Sequence, residues 1–171
     1  KLAEKLIENL GNFNELILLS SSLHVSERIN INKNNKIKII NQNLSEPFQD
    51  KLKLILNDID ILIHVAWIRP NNPLNAINHN MNVIEKILKN INSKTKVIFL
   101  SSISGVSNAL GYYGKSKFQI SKILSNNCET SVLICGLIIT DNKKTPFYFL
   151  KNLFEKLPFL IKFGDKVKVL Y

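Results

Sequence analysis

Arginine, cysteine, methionine and tryptophan are nearly missing from these 171 residues: two Arg, two Cys, one Met and one Trp. Cys128 and Cys135 are too few for a disulfide framework and lack the spacing of a zinc site. Buried free thiols in a reducing cytoplasm are expected instead. His24, His64 and His79 form no metal-ligand pattern, so no metal is expected. No apolar run reaches the roughly 18–20 residues of a membrane-spanning helix. The opening KLAEKLIENL has no apolar core of a signal peptide. A cytoplasmic location without a membrane partner is the expectation. The shortage of arginine also qualifies the net charge of +10, because only Arg28 and Arg69 among the 23 basic residues are arginine. The lysines are scattered and do not interleave with aromatics. They read as solvated faces, and no nucleic-acid partner is expected. The abundance of Lys, Asn and Ile together fits an A/T-rich coding bias.

What is present points to one folded domain. Hydrophobic residues make up 45% and charged residues 21%, a soluble globular composition. The length suits a single domain over 1–171. Helical spacing marks 2–10, and ELILLSSS (15–22) is a short strand. NNKIKIINQNL (34–44) is a second strand, and 47–60 a helix opened by Pro47 and Phe48. DILIHVAW (60–67) is a strand, followed by a proline-marked loop at 69–77. Helix 76–91, strand 96–102, helix 112–127 and strand 130–140 follow, then helix 146–158 and strand 166–171. Helices alternating with nearly all-apolar strands predict a doubly wound α/β sheet of parallel strands in three layers. Ligands of such sheets bind outside the carboxyl ends of the strands. Those ends are Ser20–Ser22, Asn43–Leu44, His64–Trp67, Ser101–Gly105 and Cys135–Thr140.

At one of these ends stands GYYGKSK, residues 111–117. Tyr113 and Lys117 are four apart and share a helix face. A lysine ammonium beside a phenol favours its ionised form and makes Tyr113 a candidate acid/base. Ser101 and Ser102 end the preceding strand at the same edge. A serine there is placed to hold a substrate oxygen against the phenol. Tyr112, one position off, points elsewhere and reads as packing.

Several stretches then fall in register. DILIHVAW is an Asp-led apolar strand ending in His-x-Ala, and HNMNVIEKIL carries Asn80. VIFLSSISG carries Ser102, and YYGKSK carries Tyr-x-x-x-Lys. CGLIIT resembles a Pro-Gly-x-Val-x-Thr strand exit, with Cys135 in place of proline. FGDKVKVLY follows. In this order they resemble the short-chain dehydrogenase/reductase superfamily, in particular its extended, NAD(P)-dependent epimerase/dehydratase branch. The resemblance implies a Rossmann-like domain. Tyr113 would be the general acid/base, Lys117 would bind the ribose hydroxyls, Ser102 would orient the substrate, and Asn80 would hold a water relay. Val65, Ala66 and Trp67 would line the cofactor, as would Gly136 and Ile138. Ser20, Ser21, Asn43 and Leu44 would meet its adenosine half. A small-molecule substrate, such as a nucleotide-linked sugar, and a homodimer are also implied.

The pattern departs from that family in places. The family opens with a strand and a glycine-rich turn that would precede residue 1, so the sequence reads as a piece of a longer chain. That strand would sit between 15–20 and 60–65. The substrate domain that would follow is also lacking. Strand 15–22 ends in serines where an acidic residue would hold a ribose hydroxyl, which leans the cofactor from NAD toward NADP, with Arg28 near. Only 11 positions separate Ser102 from Tyr113, which pares down the substrate loop. An epimerase, a small-carbonyl reductase and a non-catalytic NAD(P) sensor or scaffold all remain open readings.

Overall fold

The computed structural model describes residues 15–21, 37–69, 71–136, 148 and 152. The elements run β1 (Leu16–Ser20), β2 (Ile37–Asn41), α1 (Asp50–Asp58), β3 (Ile61–His64), a 3-10 turn (Pro73–Asn75), α2 (Ala76–Leu88), β4 (Lys96–Ser102), α3 (Tyr112–Asn127) and β5 (Thr130–Cys135). The chain packs as two units, Lys1–Ile134 and Cys135–Tyr171. In the second, Tyr148 and Asn152 are helical, inside the helix expected at 146–158. The expected helix 2–10 and strand 166–171 lie outside the described residues.

The helices bury residues at helical intervals. On α2, Ala76, Asn80, Val83, Ile84 and Ile87 face inward at helical intervals. On α1, Leu52 and Leu56 do the same one turn apart, while Leu54 between them is exposed. Its first-turn Asp50 suits the positive end of the helix and pairs with Lys53 at 2.8 Å. Leu52, Leu56, Val83, Ile84 and Ile87 form one core with Phe48, Val97, Phe99, Ile120 and Leu124.

β4 runs through the middle of that core. Val97 and Phe99 are sealed on one face and Leu100 on the other, the two-sided burial that parallel strands between helices require. β3 runs parallel to it, with Ile61 opposite Lys96 and His64 opposite Phe99. β5 pairs along the other edge of β4. β1 and β2 form a separate parallel pair, from Leu16 opposite Ile37 to Ser20 opposite Asn41. The α/β architecture of parallel strands flanked by helices is therefore as the sequence predicts. Among the described residues no strand joins β1 to β3, the position at which the sequence pattern places a further strand.

Some boundaries differ. The strand expected at 60–67 ends at His64, and Val65–Arg69 leaves the ladder at the mouth of the sheet. The helix expected from Pro47 begins at Asp50, with Gln49 extended at its cap. Cys128 and Cys135 are half-buried where buried thiols were expected. No helix among the described residues is long and apolar enough to cross a membrane.

Candidate active site

The site begins with a lysine in a core position. The inward stripe of α3 runs Gly114, Lys117, Ile120, Leu124, and Lys117 is only 3% exposed. A buried ammonium is costly unless its surroundings replace water. Lys117 Nζ donates to the Leu100 carbonyl of β4 at 2.7 Å. Three rings surround it, with centroids 4.6 Å away for Phe99 and 5.8 Å for Trp67 and Tyr113. A hydrogen bond from a charged donor contributes about 1.5–3 kcal/mol, and a desolvated cation–π contact about 2 kcal/mol. Together these are on the scale of the several kcal/mol that burying the ion costs.

Trp67 and Tyr113 close the outer side. Their rings meet at 84° with centroids 4.8 Å apart, an edge-to-face geometry that aromatic quadrupoles favour. Trp67 lies three residues past the end of β3, and Tyr113 opens α3 after β4. The contact therefore joins the carboxyl ends of two neighbouring parallel strands, the edge at which open α/β sheets bind ligands. Tyr113 remains 43% exposed, so the phenol is open to a ligand. Tyr112 is also exposed, but no ring contact ties it to Trp67.

Two glycines let the intervening loop lie close to the helix. A Cβ on Gly114 would come within 2.2 Å of the Ser104 carbonyl oxygen, and one on Gly105 within 2.9 Å of Ser101 Oγ and 3.2 Å of Lys117 Cβ. No side chain fits at Gly114, and one at Gly105 would displace the Ser101 hydroxyl. Ser101 and Ser102 at the end of β4 and Ser104 in the loop separate by environment. Ser101 is buried and accepts from Ser121 at 3.4 Å. The hydroxyls of Ser102 and Ser104 share a 3.0 Å bond, and Ser102 Oγ also accepts the Ser104 amide at 3.3 Å. Ser102 is half-buried and Ser104 exposed.

Asn80 is buried and anchors the segment beside Trp67. Its Nδ2 donates to the carbonyls of Ile68 at 2.9 Å and Ala76 at 2.8 Å, and its Oδ1 accepts the Ile68 amide at 2.9 Å. Both of its donors are thus occupied, and Oδ1 retains one acceptor site. On the far side of the lysine, the buried His64 ring stacks on Phe99 at 5.8 Å. Burial, and secondarily the Lys117 charge, lowers the His64 pKa from 6.5 to about 4. The imidazole is neutral beside the ammonium at neutral pH.

The structure brings Trp67, Tyr113 and Lys117 together, beside the Ser102–Ser104 turn and the Asn80 clamp. Val65 and Ala66 lead into Trp67, half-buried at the same exit. The other expected cofactor residues lie elsewhere. Ser20 ends β1 and Ser21 follows it, and Asn43 and Leu44 follow β2, so all four belong with the separate two-stranded pair. Asn43 is engaged in its own turn, accepting the Ser45 amide and donating to Glu46, both at 3.0 Å. Gly136 is exposed. Ile138, Thr140, Ser22 and Arg28 lie outside the described residues. The sequence reading missed Phe99, His64 and the Leu100 carbonyl as neighbours of Lys117. The parallel register of ILIH on KVIFLSS sets His64 beside Phe99, but no side-chain pattern announces a backbone carbonyl.

No protein-family profile and no curated protein matches this chain. Solved structures do. A short-chain dehydrogenase/reductase from Brucella melitensis, described as a glucose/ribitol dehydrogenase, is similar with 15% identity and a TM-score of 0.52, over 81% of this chain and 67% of its own. A putative short-chain oxidoreductase from Thermus thermophilus has 12% identity and a TM-score of 0.45, over 91% of this chain and 89% of its own. What the first likeness shows is the Rossmann-like fold.

Proposed function

We propose that this chain is an NAD(P)-dependent oxidoreductase of the short-chain dehydrogenase/reductase type, with Tyr113 as its proton-transfer group. The observation that carries the reading is the Trp67–Tyr113–Lys117 cluster at the carboxyl edge of β3 and β4. The donor set fits a nicotinamide dinucleotide and a carbonyl or hydroxyl substrate. It offers a solvent-facing phenol, a serine hydroxyl pair and an ammonium within one side chain's reach. Val65, Ala66, Trp67 and Lys117 would hold the cofactor, which supplies the hydride chemistry when bound. Tyr113 Oη gives a proton to the substrate oxygen in reduction and takes it back in oxidation. Ser102 Oγ donates to the same oxygen and fixes its approach. The remaining acceptor site of Asn80 Oδ1 can hold a relay water.

The finer reading is an epimerase or dehydratase acting on a nucleotide-linked sugar, supported by DILIHVAW and CGLIIT. A reductase of small carbonyl compounds uses the same groups and suits the short Ser102–Tyr113 loop. The reading of a different class is a non-catalytic NAD(P)-binding sensor, which needs the fold and the cofactor contacts but no proton transfer at Tyr113.

Oxidation of NADH and NADPH, followed with a panel of carbonyl substrates, tests the reading. Tyr113→Phe is expected to lower kcat by roughly 10²–10⁴-fold, the usual weight of a positioned acid/base. Unaltered turnover in that variant removes Tyr113 from the chemistry. Cofactor binding with no turnover by the unmodified chain selects the sensor.

A further inference from the structure

Trp67 is the chain's single tryptophan, and its place is built more firmly than a surface loop requires. Residues 65–69 have left the β3 ladder, so no sheet bond holds them there. The next residue is held instead: the amide and carbonyl of Ile68 both bond to the buried amide of Asn80, at 2.9 Å each. Trp67 is thereby tied through Ile68 to α2. Its ring meets Tyr113 nearly edge to face at 4.8 Å and also covers the Lys117 ammonium at 5.8 Å. Tyr113 itself is exposed at the N-terminus of a helix, where its own helix meets the ring only through the Lys117 ammonium, 5.8 Å from the centroid.

We propose that Trp67 is a positioning residue, which holds the Tyr113 ring over Lys117 so that the phenol oxygen points to the substrate. This rests on the oxidoreductase reading above and extends it: the order of transmission is Asn80, Ile68, Trp67, Tyr113. Trp67 acts from the side of the ring and leaves the hydroxyl uncovered. An aromatic side chain is needed because the contact is edge to face and the same ring faces a cation. Simple packing would ask only for bulk.

Two measurements test this. The first compares Trp67→Leu and Trp67→Phe in steady-state kinetics. Misplacement of a reacting group by about 1 Å costs on the order of 10²-fold. Trp67→Leu is expected to lower kcat by roughly 10–100-fold, in addition to any rise in the KM for the nicotinamide that its cofactor contact brings, and to flatten or shift the pH profile of kcat. Trp67→Phe is expected to recover most of the loss. A kcat within about twofold of the parent in Trp67→Leu overturns the proposal, as does a loss confined to KM, which would make Trp67 cofactor lining alone.

The second measurement needs no activity. Tryptophan emission, excited where tyrosine does not absorb, reports on Trp67 alone. Acrylamide should quench that emission more strongly in Tyr113→Ala, which uncovers the edge of the Trp67 ring, and to the same degree as in the parent in Tyr112→Ala, which does not touch it. A quench that is the same in Tyr113→Ala as in the parent means the rings are not paired and overturns the proposal. No turnover in the parent chain together with an intact, Tyr113-dependent quench overturns the oxidoreductase reading and, with it, the catalytic purpose given to the pair. Turnover with an unaffected Trp67→Leu variant overturns the positioning role alone.

Discussion

Phe99 in β4 is fully enclosed, whereas every residue of β1, Leu16–Ser20, is only half-buried. The LILL run of β1 (16–19) is no less apolar than VIFL in β4. The difference lies in what surrounds them. β4 has a strand on each edge and packed side chains on both faces. β1 is bonded to β2 and, among the described residues, to no other strand. β3 shares the same condition on its outer side, and its Ile61 is 55% exposed. An apolar run therefore reports a capacity for burial; the neighbours decide whether it is used. The candidate site draws its lysine box from the sealed region and its accessible phenol from the rim.

The strongest way to break that comparison is to cut the same kind of side chain from each region. Phe99→Ala removes a core ring and one wall of the Lys117 box, and should cost about 3–5 kcal/mol in urea unfolding. Leu18→Ala in β1 should cost roughly 1 kcal/mol, since it gives up less buried surface. Equal losses would mean that β1 is as tightly packed as β4, contrary to its exposure.

The sealed region should also carry a pH sensitivity. His64 has its pKa lowered to about 4 by burial and by Lys117, against 6.5 when exposed. The unfolded chain then binds the additional proton across that window. Stability should be unaffected by His64 above pH 6.5, fall as the pH drops from 6.5 to 4, and level off below. The total is about 3 kcal/mol. His64→Gln should remove most of this slope when urea midpoints are compared at pH 7 and pH 4. An unchanged slope would place the acid sensitivity in carboxylates such as Asp50, whose pKa Lys53 lowers.

Much of the sealed region was legible in the sequence. Helix 112–127 and strand 96–102 are found where their spacing puts them, because local periodicity and tertiary burial agree there. Tyr113 and Lys117 do share one end of a helix. The burial of Lys117 was not legible, since lysines are almost never enclosed and its hydrogen-bond partner is a backbone oxygen 17 residues away. The early end of β3 was hidden for a similar reason. Val65 and Ala66 are apolar enough to continue the strand, but its exit belongs to the clamp that Asn80 makes 12 residues on. The environment of β1 was the least legible, because it depends on a neighbour and not on β1's own residues.

The smallest expected effect concerns the link between the two regions. Lys86, on α2, donates to the carbonyls of Leu44 and Glu46 in the loop after β2. Its ammonium also lies 5.1 Å from the Phe48 ring. Desolvation lowers its pKa, and the nearby Glu46 works in the opposite direction. Lys86→Met keeps the length and the ring contact but removes the donors, so it should cost about 1 kcal/mol. The loss should be local. Amide exchange should quicken at Ser45 and Glu46, whose N–H groups close the Asn43 turn at 3.0 and 3.1 Å, while Phe99 keeps its protection. Exchange that quickens equally along β4 would show that the two regions unfold as one, and that their difference in burial is not a difference in cooperativity.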